Sequence, residues 1–117
     1  MDNRALRIIN NYDGNGYLDL RGCDLKGITL PTTIGGSLGL RGCQNVPNGV
    51  YKCGDEERTI TVYNHSKKGL VVSLGCFIGS ETECHDAISN KYGTGNKAKK
   101  YKEKITQCFQ LYYEANF

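Results

Sequence analysis

The chain has 117 residues and a formal net charge of +3; 38% of its residues are hydrophobic, 23% are charged, and it holds 15 Gly, 2 Pro and no Trp. That is the size of one domain with a core of its own, and the composition excludes collagen, a disordered tail and a coiled coil. The longest apolar stretch, at 70–74, falls far short of the roughly 20 residues that cross a bilayer.

At the front, Asp2 or Asn3 can cap a short helix whose apolar side is Ala5, Leu6, Ile8 and Ile9 and which stops at Asp13-Gly14. The same segment carries acid, amide and arginine in place of an apolar signal core, so the expected location is the cytoplasm. Next comes an internal repeat with a period of twenty. Gly16-Tyr17-Leu18-Asp19-Leu20-Arg21-Gly22-Cys23 returns as Gly36-Ser37-Leu38-Gly39-Leu40-Arg41-Gly42-Cys43, identical at six of eight positions. Leu-x-Leu is a strand with both leucines on one face, and one such rung cannot bury that face alone. Stacking the two rungs predicts Leu18 on Leu38 and Leu20 on Leu40, with Cys23 and Cys43 stacked in the turn.

After the rungs, residues 58–64 and 70–76 are β-branched runs flanking His65-Ser66-Lys67-Lys68-Gly69, the pattern of an antiparallel hairpin. Ser80 and Glu83 form a capping box that starts a helix over 81–92, and Gly93 is expected to end it in the left-handed conformation. Beyond a Gly93-Thr94-Gly95-Asn96 linker, Ala98, Tyr101, Ile105, Cys108 and Tyr112 make one apolar stripe on a last helix.

The segment Leu-x-Leu-x-x-Cys-x-Leu at 18–25, with Leu-Pro-x-x-Ile at 30–34, resembles leucine-rich repeats of the short bacterial type. IGGSLGLRGC is similar to the rungs of small proteins of bacteriophages and prophages, and GCFIGSETECHDAISNKYG is similar to segments attached to them. Asn15 and Gly35 stand where a further leucine is usual, Asn45 lacks the apolar residue of the first rung, and two rungs are fewer than such arrays normally need, so both ends require caps. The expected fold class is therefore α+β, in a single domain over 1–117. It comprises a helical cap (1–12), a two-rung leucine-rich-repeat-like sheet (14–50), an antiparallel hairpin (58–76) and a helical part (80–117) with two C-terminal helices.

The cysteines at 23, 43, 53, 76, 84 and 108 contain no Cys-x-x-Cys pair, and His65 and His85 supply no zinc spacing, so six cytosolic thiols and no metal site are expected. Cys84-His85-Asp86 are neighbours whose directions on a helix diverge by about 100° each, which argues against a triad. Cys76 and His65 could meet across the hairpin, but nothing in the sequence activates that thiol. Gly14-Asn15-Gly16 and Gly93-Thr94-Gly95 lack the lysine and hydroxyl of a phosphate loop, and Asp13-Gly14-Asn15 lacks the later Glu of a calcium loop. Neither an enzyme nor a cofactor is expected.

Two surfaces remain. Residues 91–117 hold 6 lysines against 2 glutamates, and Lys97, Lys99, Lys100, Lys102 and Lys104 around Tyr101 could hold nucleic acid or an acidic partner; the simpler reading is a solvated helix face behind a buried Tyr101. On the rungs, Tyr17, Asp19, Arg21 and Arg41 point outward. Arg21 beside Arg41 calls either for relief by Asp19 or for an acidic partner. The resemblance implies a non-enzymatic protein-binding module, a stoichiometric inhibitor of a bacterial defence system of the anti-CRISPR kind, whose partner is a host protein or ribonucleoprotein complex and not a membrane. The rival expectation is a nucleic-acid-binding accessory protein working through the lysine-rich helix.

Overall fold

Asp2 starts the first helix, α1 (Asn3–Asn10), by accepting the amides of Arg4 and Ala5 on Oδ1 at 2.9 and 3.2 Å. Its other oxygen accepts the Asp24 amide at 2.9 Å, so the helix cap is also a stitch to the next part of the chain. The structure is a computed structural model, and it describes residues 1–47, 50–54, 59–74 and 77–116, with the side chains of 52–54 and 116 outside that description. Across these residues it is a mixed α+β fold of three helices and two small sheets.

The period-twenty segment winds twice. Strands β1 (Leu18–Asp19) and β2 (Leu38–Gly39) pair in parallel, Leu18 opposite Leu38 and Asp19 opposite Gly39. The same offset of about twenty continues through Leu20 N–H to Gly39 O at 3.0 Å, Gly22 N–H to Arg41 O at 2.8 Å and the Asp24–Gln44 bridge. Each Leu-Arg-Gly-Cys closes a four-residue turn, Cys23 N–H on Leu20 O and Cys43 N–H on Leu40 O. The third position of each needs a positive φ, and Gly22 and Gly42 supply +77° and +73°. Leu18, Leu20, Leu38 and Leu40 are buried, and the Cys43 thiol donates to Leu20 O at 2.8 Å. Gly35 and Gly36 sit where the backbone of residues 14–16 passes so closely that a Cβ would strike the Gly14 and Gly16 carbonyls. A leucine at 35 would hold these windings apart.

The second sheet is an antiparallel meander of β3 (Tyr51–Gly54), β4 (Thr59–His65), β5 (Gly69–Leu74) and β6 (Phe77–Gly79). The expected hairpin is its centre, and β3 and β6 add an edge strand on each side. Alternation splits β4 and β5 between two cores. Tyr63 and Val71, directly paired, join the leucines of the windings, while Ile60, Val62 and Val72 pack with the helices. The second winding is tied to this sheet by Ile34, whose amide donates to Asn64 O and whose carbonyl accepts from Ser66, both at 3.0 Å.

Helix α2 (Glu81–Tyr92) opens with the capping box: Glu83 N–H donates to Ser80 Oγ at 3.1 Å and Ser80 N–H donates to Glu83 Oε1 at 2.9 Å. Gly93 takes a positive φ of 74° but a ψ of −141°, so it ends the helix in an extended glycine conformation, not the left-handed one expected. Helix α3 (Asn96–Asn116) buries Ala98, Ile105, Cys108 and Tyr112 as its stripe dictates, with Tyr101 half-buried. The expectation of six thiols is corrected at Cys108, which is disulfide-bonded. Among the described residues, no helix is long and apolar enough to cross a membrane.

Candidate functional site

A cleft of about 880 Å³ opens where the windings, the four-stranded sheet and α2 meet. The outward side chains of the rungs line one side, because the leucines between them turn inward to the core. Tyr17 lies across the face of β2, so that a Cβ on Gly39 would strike its hydroxyl. Tyr17 is 52% exposed. Gly39 thus makes the seat of that ring, which explains why the second rung carries glycine where the first carries Asp19.

Arg21 and Asp19 form a two-point ion pair, Nε to Oδ1 at 2.8 Å and Nη2 to Oδ2 at 2.9 Å. This pair raises the Arg21 guanidinium further above its ordinary value and holds the Asp19 carboxyl below the usual carboxylate range. The guanidinium also stands 6.0 Å from the centre of the Tyr17 ring. Relief of Arg21 by Asp19 is therefore what the molecule does. Arg41, on the next rung and also on the cleft, has no carboxylate within ion-pair distance among the described residues.

The other walls come from residues that the sequence reading did not single out. Thr61 and Ser73, paired across β4 and β5, turn toward the windings and are buried. Leu74, Phe77 and Ile88 make an apolar wall, and Lys91 and Tyr92 stand at its end. The alternation of residues 59–65 marks Thr61 as belonging to a more polar face. It does not say that another layer covers that face, and this is why the cleft could not be read in advance.

Cys84 borders the cleft from α2, buried, and burial pushes its thiol up to about 11. His85 turns away and its Nε2 lies 3.2 Å from Thr106 Oγ1 on α3, while Asp86 is exposed. The fold does not bring Cys84, His85 and Asp86 together. His65 uses Nδ1 to accept the Lys67 and Lys68 amides at 3.1 and 3.3 Å, closing the β4–β5 turn; Cys76 lies outside the described residues. No group of three His, Cys, Asp or Glu suited to a metal occurs among the described residues.

The five lysines of α3 do not make one face. Successive residues rotate by about 100°, so Lys97, Lys100 and Lys104 fall on one flank of the buried stripe and Lys99 and Lys102 on the other. Lys97 lies 4.7 Å and Lys91 5.4 Å from the centre of the Tyr92 ring, and Tyr92 tilts against Tyr101 at 5.2 Å. Lys99 and Lys102 instead border a shallower groove with His85 and Thr106. Comparison of the chain with family models, with curated proteins and with solved structures returns no match to any of them.

Proposed function

We propose that the chain is a non-catalytic binding module that docks a partner protein on the cleft edged by Tyr17, Arg21 and Arg41. The observation that carries this reading is the convergence of the outward rung residues on a single concavity. An exposed tyrosine and arginines at the mouth of a cleft are the residue types that anchor protein interfaces. The rungs are a rigid mount, because each is hydrogen-bonded to the other through the main chain. The resemblance of these rungs to leucine-rich repeats of small phage proteins extends the reading: the partner belongs to bacterial defence machinery, and binding blocks it stoichiometrically, as an anti-CRISPR does.

A second reading, nucleic-acid binding through α3, is favoured by the Lys91, Lys97 and Tyr92 cluster, where cations gather over an aromatic ring. Retrieval of partners from bacterial lysate with the tagged chain separates the two. Docking on the cleft predicts that Arg41→Glu loses the retained protein and that Lys97→Glu with Lys100→Glu keeps it. Retention of RNA that falls steeply with salt and is lost in the lysine variant overturns the cleft reading.

A further inference from the structure

We propose that the cleft takes a short acidic peptide segment carrying one apolar anchor residue, a proposal that rests on the cleft being where a partner docks. Arg21, Arg41 and Lys91 line the concavity, and no carboxylate lines it among the described residues. Arg21 is already compensated by Asp19, whereas Arg41 and Lys91 have no ion-pair partner among the described residues and both are exposed. Positive charge therefore stands at two places on the rim without a carboxylate partner among the described residues, Lys91 facing only the Tyr92 ring.

Below it, Leu74, Phe77 and Ile88 present the apolar wall. A lone phosphate would engage the rim and leave that wall wet, and an uncharged apolar ligand would fill the wall and leave the cations unanswered. A peptide with carboxylates on either side of an aliphatic or aromatic side chain answers both. About 880 Å³ lies inside the range of roughly 300–1,000 Å³ that encloses drug-sized ligands, so the cleft admits a short stretch of chain and not a folded domain. Charge pairing at the rim sets orientation and encounter rate, and the anchor supplies burial.

Fluorescein-labelled acetyl-Glu-Glu-Leu-Glu-Glu, the same peptide with Ser for Leu, acetyl-Lys-Lys-Leu-Lys-Lys and a thymidine oligonucleotide are titrated with the full chain and followed by anisotropy. The acidic leucine peptide is expected to bind tightest, to weaken when Ser replaces Leu, and to weaken by roughly tenfold in Arg41→Glu and in Lys91→Glu, a charge reversal at an exposed pair. Unchanged melting temperatures show that the variants are folded. Equal binding of the lysine peptide, indifference to both reversals, or preferential binding of the oligonucleotide with loss in Arg41→Glu overturns the proposal. If the lysate partner is lost in Arg41→Glu while the acidic peptide fails to bind, the docking reading stands and the ligand chemistry falls. If the partner survives Arg41→Glu, the docking reading itself falls.

Discussion

Tyr63 and Gly36 are joined by a hydrogen bond that ties the four-stranded sheet to the windings: the tyrosine hydroxyl, on β4, donates to the Gly36 carbonyl at 2.8 Å. The ring is fully buried between windings and sheet, and burial, the main cause, pushes the phenol up to about 12. Tyr63→Phe keeps the packing and removes the donor. A loss of about 1–2 kcal/mol is expected, because the Gly36 carbonyl is left under-satisfied. Tyr63→Ala is expected to cost about 3–5 kcal/mol. The midpoint of urea unfolding checks both.

Gly36→Ala tests the stacking of the windings. The added carbon would meet the Gly16 backbone, which cannot swing aside as a side-chain tip can. Overpacking of this kind costs about 1–3 kcal/mol. Gly95→Ala, where nothing lies within 4 Å, is the matched control and leaves the midpoint nearly unchanged.

Acid is expected to loosen the N-terminal half first. Backbone amides hold the Asp2 and Glu83 carboxyls below their ordinary range, an Arg21 hydrogen bond does so for Asp19, and an Asn45 side-chain hydrogen bond for Asp24. A depressed native pKa means that the stabilisation is complete above the unfolded values of about 4 and is lost as pH falls through the lower native ones. Three of these four carboxylates belong to the α1 cap and the windings. Amide exchange at residues 4–25 should accelerate below about pH 4 before exchange in β4 and β5. Uniform acceleration would contradict this order.

Alkali acts through Cys84. Its native thiol, near 11 against an ordinary value of 9.0, binds its proton more tightly than in the unfolded chain. Stability is therefore unaffected below about pH 9 and declines as pH rises toward 11. Cys84→Ala should flatten that decline in chemical unfolding measured at several pH values. The same burial predicts that iodoacetamide labels Cys84 in urea and spares it in the folded protein.

Much of the framework was legible because its signals are local. Ser80 and Glu83 announce a helix start within four residues, and the 3- and 4-residue spacing of Ala98, Tyr101, Ile105, Cys108 and Tyr112 fixes the inward side of α3. The twenty-residue echo was enough to place Leu18 against Leu38. Strand β6 was not legible, since Phe77–Gly79 is too short to show a period. Nor was the sharing of β4 between two cores, because Tyr63 and Val62 reveal their different partners only once layers are assembled. The disulfide at Cys108 escaped for another reason: pairing depends on spatial approach, and the spacing of cysteines carries no trace of it. Of the cleft, Tyr17, Arg21 and Arg41 were visible as residues pointing away from leucines, whereas Thr61, Ser73, Lys91 and Tyr92 come from segments that meet the rungs only in the folded molecule.

Ile34 and His65 lie side by side in a parallel bridge, so the end of β4 occupies the berth that another winding would take. At the opposite end Asp2 and Arg4 already hold Asp24 and Arg21. An array bolted at both termini cannot lengthen by duplication. Inserting an extra twenty-residue copy after Cys43 would set the newcomer against the hairpin for the main chain of Ile34, and the sheet would be left to hold the N-terminal half by Tyr63 and Val71.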